Sequence, residues 1–206
     1  MKLIKLILAI CLCSFCCVTG YAEEEEKTSI EQNAPVGVLV DEFGNEYFVE
    51  GKEINSLSVN TRSSNSGSKT FEYTLSNVTR ASGNNTINDT DGSISVRVYL
   101  TIYYSYQGSN YLLTAVSGYW TFLDNGMEVT SSRVSYGCSD GGVTQSIEGR
   151  SVSNHYYINT GFNTYVSSSM GAMGQNLTLG LKMTNPNGTS RTWTFYIENN
   201  LFNAMA

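Results

Sequence analysis

Hydrophobic and polar residues alternate along much of the second half of the chain. Ile94, Val96, Val98, Leu100 and Ile102 are separated by Ser95, Arg97, Tyr99, Thr101 and Tyr103, a period of two held over ten residues. An extended strand points successive side chains to opposite faces, so this stretch predicts a strand with one face buried. Gln107-Gly108-Ser109-Asn110 then predicts a reversal into YLLTAVSGYWTFL, whose apolar residues fall on both sides. That pattern predicts a central strand covered on both faces, or a bulge near Gly118 that switches faces. Near the end, Leu177, Leu179, Leu181 and Met183 alternate with polar or small neighbours, as do Trp193, Phe195 and Ile197, and Asn185-Pro186-Asn187-Gly188 supplies a turn between them. Phe71, Tyr73 and Leu75 form a shorter run of the same kind. No helical periodicity is sustained anywhere past the N-terminus. The expected class is all-β: an antiparallel sandwich, immunoglobulin-like or similar, or alternatively a small barrel.

Ahead of this core, VGVLVDEFGNEYFVEG predicts a hairpin around Phe43-Gly44-Asn45. The polar stretches at 60–69 and 79–93 predict a linker and a long loop by composition. The extreme N-terminus departs from all of it. MKLIK leads into an apolar run of 13 residues and then small residues at Gly20 and Ala22, the layout of a signal peptide over 1–22. The run is short for a membrane span, so no transmembrane segment is expected in the mature chain. Cys11, Cys13, Cys16 and Cys17 crowd it, but none follows the small residue that lipid attachment wants; the expected location is secreted, extracellular.

Charge sharpens the division. Residues 23–53 hold ten acidic and two basic side chains, whereas 54–206 hold eight of each. The expected organisation is therefore an acidic leader over 23–53, disordered at 23–34 with the short hairpin behind it, and one near-neutral β-sandwich domain over 54–206. A neutral surface without a basic stripe argues against nucleic acid as a partner. Past residue 22 the only cysteine is Cys138, so packing and sheet hydrogen bonds must supply the stability.

Candidate chemistry is sparse. Cys138 and the single histidine, His155, are the weak candidates for a nucleophile and its base, with Asp140 or Asn154 to orient the ring. No GxSxG elbow or surrounding signature supports them. Asp89 and Asp91, two apart before Gly92, resemble a calcium loop, but Ile87 and Val98 occupy two ligand positions of the helix-loop-helix template. No cofactor is expected. Fourteen tyrosines and two tryptophans are the richer resource. Trp120 and Trp193 fall at core positions, while Tyr99, Tyr103 and Tyr119 fall opposite or beside the aliphatic stripe, where they would form a binding face for a protein or carbohydrate surface. Asn-x-Ser/Thr sequons begin at Asn77, Asn84, Asn88, Asn176 and Asn187, in a chain rich in all three residues.

The stretch 94–201, with VSGYWTF, RVSYGCS and RTWTFYIENN, resembles small secreted proteins of Gram-positive bacteria. That resemblance implies an extracellular location and a compact β domain, and it transfers no active site. The leading functional expectation is a secreted, non-enzymatic binding or interaction protein acting at the cell envelope or on neighbouring cells. The first alternative is a bacteriocin-like toxin acting on membranes through the amphipathic hairpin at 94–123. The second is a small hydrolase.

Overall fold

Among the described residues twelve strands carry the alternation seen in the sequence, and in a computed structural model they build one antiparallel sheet. The structure describes residues 35–60, 65–75, 79–80, 94–123 and 126–204. The segment 1–22, the glutamates at 23–26 and the calcium candidates Asp89 and Asp91 lie outside them. In chain order the strands are β1 (Val36–Asp41), β2 (Glu46–Asn60), β3 (Asn65–Thr74), β4 (Thr79–Arg80), β5 (Val96–Gln107) and β6 (Asn110–Phe122). They continue with β7 (Met127–Ser139), β8 (Thr144–Ser151), β9 (Tyr156–Asn159), β10 (Val166–Ser167), β11 (Ala172–Thr184) and β12 (Ser190–Asn203). Their spatial order is β10-β6-β5-β3-β2-β1-β12-β11-β7-β8, with β4 beside β2 and β9 beside β6. The sheet curls into a half-barrel, so the all-β antiparallel class holds.

The curl brings two halves of the sheet face to face around one core. Val96, Val98, Leu100 and Ile102 of β5 are fully buried, as the period of two requires, and meet Leu177, Leu179 and Leu181 of β11 and Phe195 of β12 in the same cluster. Trp120 and Trp193 are both buried in it. Strand β6 does switch faces, but at Thr114: Tyr103 opposes Ala115 and Tyr104 opposes Leu113, which leaves Thr114 as the extra residue of a bulge. Gly118 has a different use. A Cβ there would lie 2.7 Å from the Tyr156 hydroxyl and 2.8 Å from a Leu100 methyl, so its missing side chain makes room for the Tyr156 ring.

Two sequence expectations change. The boundary expected between 53 and 54 falls inside β2, because Asn33–Ala206 form one compact unit. Glu46–Glu50 of β2 pair with β1, Gly51–Asn60 pair with β3, and β1 also pairs with β12. The hairpin therefore joins the two halves of the sheet, a long-range role that its local acidity could not reveal. The linker expected at 60–69 is also largely strand: Ser56 opposes Lys69, Asn60 opposes Asn65, and β3 pairs with β5 on its other side. Backbone ladders tolerate Ser, Asn and Gly when neighbouring strands are present, and composition alone misses this.

Polar ties cross the core. Gln175 of β11, only 1% exposed, donates from Nε2 to the backbone oxygens of Thr101 at 2.9 Å and Ser117 at 3.2 Å on the facing half. Its Oε1 accepts a 2.9 Å hydrogen bond from the Tyr156 hydroxyl. Tyr73 of β3 donates to the Glu198 backbone oxygen of β12 at 3.1 Å. Burial drives both phenols well above the ordinary tyrosine pKa, so each remains a donor.

At the β1–β2 turn, Asp41 Oδ1 accepts from the backbone nitrogens of Phe43 (2.9 Å) and Asn45 (2.8 Å), and Oδ2 accepts from Asn45 Nδ2 (2.8 Å). Burial pushes this carboxyl up, but the donors from Asn45 and Phe43 together outweigh it and hold the pKa below the ordinary value.

Two predictions follow from these contacts. Gln175→Ala removes three buried hydrogen bonds at about 1 kcal/mol each, so urea unfolding should show a loss of roughly 2–4 kcal/mol; a loss under about 1 kcal/mol would mean the amide carries none of them. Asp41→Asn should cost about 1–2 kcal/mol at pH 7. Because the folded-state pKa is depressed, that difference is full above pH ~4 and shrinks as pH falls through the folded value; a gap that stays constant down to pH ~2 would contradict the assignment.

Candidate functional site

On the outer side of the β5 half, the residues between the core positions come together as an aromatic face. Tyr99 of β5 stands directly opposite Tyr119 of β6, and their rings stack with centroids 4.4 Å apart and planes 15° from parallel. The His155 ring continues the row, 5.2 Å from Tyr119 and tilted by 10°. Four residues further along β5, Tyr103 meets Tyr157 of β9 edge to face at 5.4 Å. Hydroxyls fill the spaces: Thr70 and Thr101 share a 3.0 Å hydrogen bond, and the Ser117 hydroxyl donates to the Tyr103 oxygen at 3.5 Å. Tyr157 is 60% exposed and Tyr119 37%, so the face is open to solvent. Leu57 and Val59 extend it on the β2 side, in register with Ser68 and Ser66 of β3.

The short strand β9 reaches this position through three constraints. The Asn154 side chain accepts from the Trp120 backbone nitrogen and donates to the Trp120 oxygen, both at 2.9 Å, and so mimics a strand neighbour. His155 has φ of 62°, which turns its ring over Tyr119; among the described residues it is the one non-glycine with positive φ. This left-handed backbone costs about 1–2 kcal/mol in an L residue and persists because both flanking residues are held. Tyr156 then points inward to Gln175, which forces Tyr157 outward.

The face carries few charges: Arg97 and Glu72, paired at 3.2 Å, and Lys52 of β2 in register with Glu72. Burial, and then the neighbouring Tyr99, raises the pKa of Tyr119, so its hydroxyl is a donor at neutral pH.

The three tyrosines singled out in the sequence thus share one face, and two of them touch. Tyr157 and the place of His155 in the stack are not legible in the sequence, because a four-residue strand is too short to show a period and a left-handed histidine leaves no pattern. Cys138 and His155 are not brought together. Cys138 is buried in β7 with Gln145 Nε2 3.8 Å from its sulfur, and burial raises its pKa, so it rests as the thiol. Asp140 closes the β7–β8 turn, accepting from the backbone nitrogens of Val143 at 3.1 Å and Gly142 at 3.3 Å; these bonds lower its pKa. Asn154 bonds to backbone groups of Trp120 and His155, not to the imidazole. A recess of about 240 Å³ opens where Gly137 of β7 faces Gly174 of β11. Its lining of small hydroxyls, amides, Glu148 and the protonated Cys138 contains no activated nucleophile.

If the rings stack as described, a double-mutant cycle of Tyr99→Ala and Tyr119→Ala should return a coupling of about 0.5–1.5 kcal/mol in urea unfolding, and a coupling near zero would rule the stack out. Comparison with known proteins finds no matching family model, no matching curated protein and no matching solved structure.

Proposed function

We propose that this chain is an exported, non-enzymatic binding module and that the Tyr99–Tyr119–His155 row, with Tyr103 and Tyr157, is its docking face for a protein partner. The observation that carries the reading is the orientation of the rings. Tyr99, Tyr119 and His155 turn their faces to one another, which leaves edges and hydroxyls toward solvent on the outer strand surface. Sugar recognition favours open ring faces, whereas protein recognition favours rigid, amphipathic tyrosines among small hydroxyl and amide groups. Side chains already stacked on neighbours also lose little conformational entropy on binding. The Arg97–Glu72 pair and one lysine leave no strong field to attract a polyelectrolyte.

Export is supported by the basic start, apolar run and small residues of 1–22. The hydrolase alternative loses support because its thiol and imidazole sit in different surroundings. The membrane alternative loses support because the aliphatic side of the 94–123 hairpin is spent in the core. Among the described residues no helix is long and apolar enough to cross a membrane.

The test applies fluorescently labelled chain to intact producer and neighbouring cells. Wild type should bind, Tyr103→Ala/Tyr157→Ala should bind at least ~10-fold more weakly while unfolding cooperatively, and protease treatment of the cells should abolish the signal. Binding that survives protease but disappears after glycan removal would sink the protein reading, and unchanged binding by the double variant would sink this face.

A further inference from the structure

The other half of the sheet carries a second exposed patch, of different chemistry. In β1, Val36, Val38 and Val40 point outward while Leu39 is fully buried. In β2, Glu46, Phe48 and Glu50 point outward around the buried Val49, and in β12, Tyr196 and Glu198 point outward between Phe195, Ile197 and Asn199. The registers place these in rows. Val38 stands directly between Phe48 and Tyr196, Val40 opposes Glu46, and Val36 opposes Glu50. Phe48 and Tyr196 are each 49% exposed and Val36 is 38% exposed. The result is an apolar row with glutamates 46, 50 and 198 around it.

This arrangement sets two demands on anything that covers it. The row of Phe48, Val38 and Tyr196 gains from losing contact with water. The glutamates lose by the same burial unless cations meet them. Among the described residues none of the three glutamates has an ion-pair partner; Glu198 accepts a 2.6 Å hydrogen bond from Asn200. Of the nearby cations, Arg191 pairs with Glu42 and Lys182 with Glu128, while Lys52, two residues beyond Glu50 on the same side of β2, offsets one of the three charges and leaves the patch acidic. A neutral apolar partner would bury bare carboxylates, and an anionic membrane or nucleic acid would be repelled.

We propose that the outer face of β2, β1 and β12 docks a cationic, apolar polypeptide segment of a partner protein. Glu46 and Glu50 are four residues apart on one strand, about 13 Å at ~3.3 Å per residue, so an extended segment with lysine or arginine four positions apart and large apolar residues between them fits both demands. This surface is separate from the tyrosine face and carries the opposite character, acid-rimmed where the other is neutral.

The probe is a fluorescent peptide of Lys-Ser-Leu-Ser repeats, which when extended sets lysine every fourth residue with leucine between on the same side, titrated against the purified chain at low salt. Binding should weaken at least ~10-fold in E46Q/E50Q/E198Q and also in F48S/Y196S, and it should weaken in 0.5 M salt. The off-face control E53Q/E128Q/E148Q, which removes the same charge, should change it less than ~2-fold. The reversal E46K/E50K/E198K should instead bind the matching glutamate peptide of Glu-Ser-Leu-Ser repeats. The proposal is overturned if the lysine peptide does not bind, if the control triple weakens binding as much as the on-face triple, if F48S/Y196S leaves it unchanged, or if the reversed triple fails to take up the glutamate peptide.

Discussion

A single buried amide ties the two halves of this sheet to each other and to the proposed docking face. Gln175 sits in β11, yet its side chain spends its hydrogen bonds on the facing half: two on backbone oxygens of β5 and β6, one on the phenol of Tyr156 in β9. An amide in that position is costly unless every bond is made, so its partners are held to one geometry. Gly118 is part of the same constraint, since any side chain there would occupy the space of the Tyr156 ring. Once Tyr156 is fixed inward, strand alternation places Tyr157 outward, and Asn154 pinned to Trp120 leaves His155 to make the turn between them. The interior chemistry of one residue thus sets the exterior chemistry of its neighbours.

The part of this that could be read in the sequence is the part that repeats. Val96 through Ile102 announced a buried face, and the tyrosines between them announced what the opposite face would carry. What escaped was non-local. Nothing near Val36 says that β1 will lie between β2 and β12, so the acidity of 23–53 suggests a leader, whereas its described part, 35–53, forms the seam of the sheet. The Ser- and Asn-rich stretch after Val59 becomes strand because β3 finds β5, a partner some thirty residues away. Gly118 drew notice as a possible bulge, whereas the bulge is at Thr114 and the glycine serves a ring that arrives from β9. His155 stood out as a possible base because it is the only histidine, but its place beside Tyr119 depends on a backbone angle that no pattern encodes.

The curled sheet therefore presents two surfaces built by the same alternation and suited to different partners. Outward positions of β5, β6 and β9 collect tyrosine and hydroxyls, with Arg97 paired to Glu72. Outward positions of β1, β2 and β12 collect valine and aromatic residues among glutamates that make no ion pair among the described residues. In the functional reading proposed here, the domain joins two partners, each held by a face whose residues the core does not need.

The dependence of the tyrosine face on the buried tie is most directly tested by amide hydrogen exchange in Tyr156→Phe, which deletes one hydroxyl and leaves the ring. The account predicts that amides of β9 exchange about 10-fold faster or more, a local loss of ~1.4 kcal/mol, while those of β7, β11 and β12 keep their protection. Unchanged exchange in β9, or an equal loss across both halves of the sheet, would contradict it.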